Sequence, residues 1–150
     1  ETLKLYFPNK DCTMLHLEQR WIYYSTNVNT ARMVVEQLIK GPANSEMIAV
    51  MTPDVLVRNV EIKGGICTVD LSPEFNQEPG GEYPVDPEVA LYAITDSIID
   101  SCENDHISGV QFLIDGSRDI RFRNQVNLDQ VFARNADLLQ TKAKETEQQA

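Results

Sequence analysis

The chain has 150 residues and a formal charge of −10, with 42% hydrophobic and 24% charged residues. That is the composition of an ordinary folded domain rather than a disordered or fibrous chain, and no apolar run approaches the ~18–20 residues of a membrane span. Residues 1–75 hold seven basic and nine acidic side chains, residues 76–150 hold six and 14, and residues 76–117 hold nine acids with no Lys or Arg, a surface that repels nucleic-acid phosphates and anionic lipid heads.

Leu3, Leu5 and Phe7 alternate with Lys4 and Tyr6, which predicts a strand ending at Pro8-Asn9. A second strand follows, with Leu15, Leu17, Gln19 and Trp21 on one face and His16, Glu18, Arg20 and Ile22 on the other. The short spacing predicts a hairpin, with the His-Glu-Arg face toward water. Trp21, Tyr23 and Tyr24 close this strand. They are expected half-buried against the next helix, with an interface role as the alternative. Ala31, Val34, Val35 and Leu38 follow helical spacing, so a helix is expected over residues 30–40, capped by Asn29 or Thr30 and stopped by Gly41-Pro42.

Residues 55–62 and 66–71 are β-rich runs joined by Lys63-Gly64-Gly65, the strongest local signal in the chain. Cys67, Val69 and Leu71 share one face of the second run. Residues 72–85 hold three prolines and two glycines and read as a loop without regular structure. Asp86-Pro87 opens a second helix in the expected way, an Asp cap followed by Pro at the first helical position. Its buried stripe is Leu91, Ile94, Ile98 and Cys102, with Asp96, Asp100 and Glu103 placed elsewhere around it, and its end near Asn104.

Val110, Phe112 and Ile114 alternate in a further strand closed by Asp115-Gly116. Residues 120–126 read as one more strand, residues 128–139 as a short helix capped by Asn127, and the polar residues from Gln140 on as a frayed tail. The order β-β-α-β-β-α-β, with a strand and helix behind it, predicts an α+β fold with two helices packed on one face of a mostly antiparallel sheet. Residues 1–126 form the expected domain and residues 127–150 a short helix with a polar tail.

Side chains that carry chemistry are sparse. His16 and His106 stand far apart, without the spacing of a zinc site. Cys12, Cys67 and Cys102 form neither a disulfide framework nor a Cys-x-x-Cys pair, and Cys67 and Cys102 fall at buried periodic positions. Cys12 is the more exposed thiol, with only Lys10 as a nearby cation. The glycine pairs lack the Lys-Ser/Thr of a phosphate loop. The acids Glu78, Glu82, Asp86, Glu88, Asp96, Asp100, Glu103 and Asp105 read as a solvated face, alternatively as a docking face for a basic partner. A hydrolase would need two of them across a cleft. No catalytic, cofactor or metal residues are predicted.

Taken in order, the segments resemble the GerM domain, the sporulation and spore germination domain, over about residues 5–116. The resemblance rests on Leu5-Tyr6-Phe7 with Asp11, on Leu17-Glu18-Gln19-Arg20, and on the helix closing Leu38-Ile39-Lys40-Gly41-Pro42. It continues through Gly65 and Thr68-Val69-Asp70-Leu71-Ser72 with Phe75, the helix over residues 90–99, and Val110-Gln111-Phe112-Leu113-Ile114-Asp115-Gly116. Ser97-Ile98 stands where the family usually has Thr-Leu, and the segment after Gly64-Gly65 is longer and more acidic.

The resemblance implies no enzyme. It implies a protein-interaction module of the sporulation or germination envelope, able to self-associate in ring-like assemblies. Such a module is held outside the cytoplasmic membrane through an anchor or signal absent from this numbering. The matching Gly41, Pro42, Gly65, Asp70 and Gly116 have backbone roles. Side-by-side contacts would set Arg118, Arg121 and Arg123 against the acidic residues 78–105 of a neighbour. Two other functions compete: cell-wall glycan or peptide binding through Trp21, Tyr23 and Tyr24, and a hydrolase using acids of residues 74–105.

Overall fold

A computed structural model describes residues 2–23 and 27–139. Strands β1 (Thr2–Pro8) and β2 (Leu15–Trp21) form an antiparallel hairpin with Thr2 opposite Trp21 and Pro8 opposite Leu15. Helix α1 (Asn27–Lys40) begins about one turn earlier than its apolar spacing predicts, so Asn29 and Thr30 lie inside it rather than capping it. Gly41 ends it as expected, its N–H donating to the Leu38 carbonyl at 3.1 Å.

Strands β3 (Val57–Lys63) and β4 (Ile66–Leu71) pair antiparallel. Gly64 at φ +59° and Gly65 at φ +79° make the two-residue turn between them, a conformation that side chains with a Cβ resist. Residues 72–85 are not wholly irregular. A 3₁₀ turn at Pro73–Asn76 drives Phe75 into the core, 4.6 Å from the Phe122 ring. Helix α2 (Pro87–Ser101) starts on the Asp86 cap, whose carboxylate accepts from the N–H groups of Glu88 and Val89. It carries the chain back so that β5 (Gly109–Ile114) runs parallel to β4.

The fold is thus α+β, two helices against mostly antiparallel strands. The strands fall into separate ladders, β1-β2 and β3-β4-β5, followed by a small hairpin of β6 (Arg121–Phe122) and β7 (Val126–Asn127). Phe7, Leu38, Met51, Val69, Phe75, Ile94, Phe112 and Phe122 belong to one core.

The segment after β7 corrects the expected helix over residues 128–139. Leu128 and Phe132 are four residues apart, as in a helix, but the chain between them is a strap laid over β5. Val110 and Phe132 exchange backbone hydrogen bonds at 2.8 Å each, and Gln111 Nε2 donates to the Leu128 carbonyl at 2.7 Å. Phe132 meets Phe112 and Tyr92 edge-on. A Cβ at Gly109 would collide with Val131 and crowd the Phe132 carbonyl, so this glycine lets the strap approach. A 3₁₀ turn at Ala136–Leu138 then leads to Leu139, which bridges β2 at Leu15. The expected frayed tail from Gln140 on lies outside the described residues.

Candidate functional site

The two outer edges of the β1-β2 hairpin receive opposite treatment. On β1, the Lys4 N–H donates to Ser101 Oγ and the Lys4 carbonyl accepts from it, both at 2.9 Å. The Tyr6 N–H donates to Ser97 Oγ at 2.8 Å, while that hydroxyl donates to the Ala93 carbonyl at 2.6 Å. Helix α2 therefore covers the edge of β1 with serine hydroxyls. Below them the Tyr6 hydroxyl donates to Asp100 at 2.6 Å, and Arg134 from the strap grips the same carboxylate at 2.8 and 3.0 Å.

In an antiparallel ladder the N–H and C=O of one residue point to the same side, and the side alternates along the strand. Lys4 and Tyr6 turn toward α2, so their partners Gln19 and Leu17 must turn away from β1, and Trp21 follows with the same period. Leu15 meets Leu139 there. Among the described residues, nothing outside β1 pairs with the backbone of Leu17, Gln19 or Trp21.

The side chains along this edge overturn the predicted orientation of β2. Leu17 is 42% exposed and Trp21 81%, and Tyr23 just beyond the strand is 95% exposed. Neither Trp21 nor Tyr23 packs on α1. Tyr24 lies outside the described residues. The face expected in water, Glu18 and Arg20, instead turns inward against the end of α1. Arg20 donates to the Gln37 carbonyl, to Gln37 Oε1 and to the Gly41 carbonyl, while Glu18 accepts from the Ala43 N–H and pairs with Arg20. A helix C-terminus leaves carbonyls without partners and favours a cation. That demand takes Arg20 inside and leaves the apolar row outside.

The acids of residues 78–105 do not form one solvated face. Asp96 is fully buried on α2. Its Oδ1 accepts from the Asn135 N–H at 2.9 Å, and burial pushes its carboxyl up to about 7, against the pull of that bond and of Arg134. Asp100 serves Tyr6 and Arg134, and its bond to Arg134 is the main reason that guanidinium holds its proton more tightly than usual. Burial, then Asp100, raise the Tyr6 hydroxyl well above the ordinary phenol range. Glu103 pairs with Lys4 at 2.7 Å and Asp86 caps α2. Glu78, Glu82 and Glu88 are exposed.

Arg123 is not available to a neighbour. It is 5% exposed, reaches the carbonyls of Val50 at 2.9 Å and Phe75 at 3.2 Å, and lies 4.4 Å from the Phe122 ring. Burial lowers its pKa to about 10. Arg121 and Arg118 remain on the surface.

The Cys12 thiol touches the Pro84 carbonyl at 3.6 Å, and burial pushes its pKa up against a backbone hydrogen bond from Asp86, which makes it a poor nucleophile. Cys67 and Cys102 are buried as predicted. A hollow of about 390 Å³ brings the neighbours Asp11 and Cys12 together with Glu78 and Asp86, which lie far along the chain from them. Among the described residues no group of three or more His, Cys, Asp or Glu is placed to hold a metal ion. No helix among them is long and apolar enough to cross a membrane.

Comparison with known proteins adds the following. A family model described as "Germane: Sporulation and spore germination" matches residues 4–119. Solved structures share the fold, among them the following three. The first GerMN domain of the sporulation protein GerM from Bacillus subtilis is 21% identical, with a TM-score of 0.64 over 95% of this chain and 98% of that one. A protein from Clostridium perfringens described as a candidate lipoprotein is 19% identical, with a TM-score of 0.59 over 89% of this chain and 87% of that one. The tandem GerMN domains of the Bacillus subtilis protein are 22% identical, with a TM-score of 0.55 over 77% of this chain and 39% of that one. No curated protein matches the chain by sequence.

Proposed function

This chain belongs to the Germane family of sporulation and spore germination domains, and we propose that it serves in the cell envelope as a non-catalytic module that docks protein through the outer edge of β2. The observation that carries this reading is the row Leu17, Gln19 and Trp21 with Tyr23 just beyond it: among the described residues nothing outside β1 pairs with the backbone of the first three, and exposed apolar side chains flank it. Natural sheets blunt such edges with Lys, Pro, bulges or covering helices, and an unblunted one is a ready template for another strand. A place outside the cytoplasmic membrane is supported by the description of the Clostridium perfringens structure as a candidate lipoprotein.

The test is a photo-crosslinking side chain at Tyr23, activated in cells that make the protein. The reading expects a discrete adduct with an envelope protein, lost when Trp21→Ser is added. No adduct, or one indifferent to Trp21, contradicts it. The same two rings favour a second reading, stacking on cell-wall sugars. Trp21 is the only Trp in the chain, so saturable quenching of its fluorescence by soluble muropeptides supports that reading and an unchanged signal removes it.

A further inference from the structure

We propose that β2 pairs with β2 of a second copy of this chain, antiparallel about a two-fold axis through Gln19. This deepens the docking reading above by naming one occupant of the open edge. The register decides it. Leu17, Gln19 and Trp21 all turn their N–H and C=O outward, so a two-fold axis at Gln19 makes three hydrogen-bonded pairs. These are Gln19 with Gln19, Leu17 with Trp21, and Trp21 with Leu17. Each apolar side chain of one copy then lies across from an apolar side chain of the other.

The same axis sets Glu18 of one copy opposite Arg20 of the other on the inner face, where each chain already pairs its own Glu18 with its own Arg20, so no like charges meet. The outward row Leu17, Gln19 and Trp21 is thus complementary to itself in shape, and an axis one residue away would lose that match and set Glu18 against Glu18 or Arg20 against Arg20. The pairing is also bounded. The next pair on the same register would be Tyr23 with Leu15, where Leu139 already bridges the edge, so the ladder stops at Leu17. The chain carries a formal charge of −10, so two copies repel at long range. Residues 17–21 contribute one Glu and one Arg, and this edge approaches its copy without a local excess of either sign. Salt screens the long-range term, so association through β2 strengthens as salt rises. An isologous contact of this kind closes as a dimer rather than growing.

The experiment is light scattering of the 150-residue chain across a concentration series, at low and high salt. The wild type is expected to rise from 17.0 kDa toward twice that mass, at lower concentration in high salt. Gln19→Lys places two like charges face to face at the axis, and so does Gln19→Glu. Each is expected to weaken association about tenfold or more. Their equimolar mixture restores it, because Lys then faces Glu. Gln19 is exposed, so both variants keep the fold, checked by unchanged thermal melting. A wild type that stays monomeric at every concentration overturns the proposal, and so does a dimer that neither variant disturbs. A monomer would leave the docking reading to stand or fall on its own crosslinking test at Tyr23.

Discussion

The hairpin has two edges, and the chain treats them in opposite ways. The edge of β1 meets two serines, a tyrosine–aspartate–arginine chain and the strap. The edge of β2 from Leu17 to Trp21 meets nothing among the described residues, and its side chains include the exposed Leu17 and Trp21. Backbone groups that a fold buries must be paired, and on the β1 side the pairing comes from hydroxyls because a helix, not a strand, lies there. The difference teaches where the fold is complete. One side is closed by intramolecular contacts. The other retains the hydrogen-bonding capacity of a strand together with surface that water disfavours.

Breaking the closed side costs most at the strap. Phe132 is 3% exposed, and Phe132→Ala is expected to lose about 3–5 kcal/mol of stability in chemical denaturation, as for other buried rings. A loss under 1 kcal/mol would mean that the strap is a loose tail. Asp96 gives the next effect, and it has a sign. Its folded pKa of about 7 lies above the unfolded value of 3.8. The folded state therefore holds a proton that the unfolded state releases as pH rises from about 4 to 7. The contribution of Asp96 is fully favourable below pH 4, declines through that window by about 1–3 kcal/mol, and is flat above it. Denaturation midpoints of the wild type and Asp96→Asn between pH 4 and 8 check this, the variant losing that slope.

Ser97→Ala is expected to cost about 1–2 kcal/mol, because it leaves the Tyr6 N–H buried without a partner. The smallest effect on stability belongs to the open side. Trp21→Ser and Gln19→Lys should shift stability by no more than about 0.5 kcal/mol, while Trp21→Ser removes the Tyr23 adduct and Gln19→Lys weakens self-association about tenfold or more. A large destabilisation by either would mean that the β2 edge is already satisfied within the chain.

Much of the frame is legible in local sequence. Gly64-Gly65 makes its turn, Asp86-Pro87 starts α2, and Gly41-Pro42 ends α1, because each device acts within a few residues of itself. What local pattern could not show depends on partners far along the chain. Arg20 turns inward because the end of α1, about 20 residues later, presents open carbonyls. Asp96 is buried because the strap brings the Asn135 N–H to it. Leu128 and Phe132 copy helical spacing while the backbone between them pairs with β5. Gly109 was the available hint of a crossing chain, a glycine at the start of a strand. For the candidate surface, the aromatic cluster at residues 21–24 is visible in the sequence, but the exposure of Trp21 and Tyr23 is not. Alternation alone placed Trp21 inside, and the charged pair that displaces it is decided by tertiary structure.

Residue-resolved amide hydrogen exchange tests most directly whether one edge is closed and the other open. In dilute solution, the Lys4 and Tyr6 amides should be protected nearly as well as the core strands. The Leu17, Gln19 and Trp21 amides should exchange orders of magnitude faster and gain protection as concentration rises. Equal protection of both sets at every dilution would contradict the account, since β2 would then be sealed within a single chain.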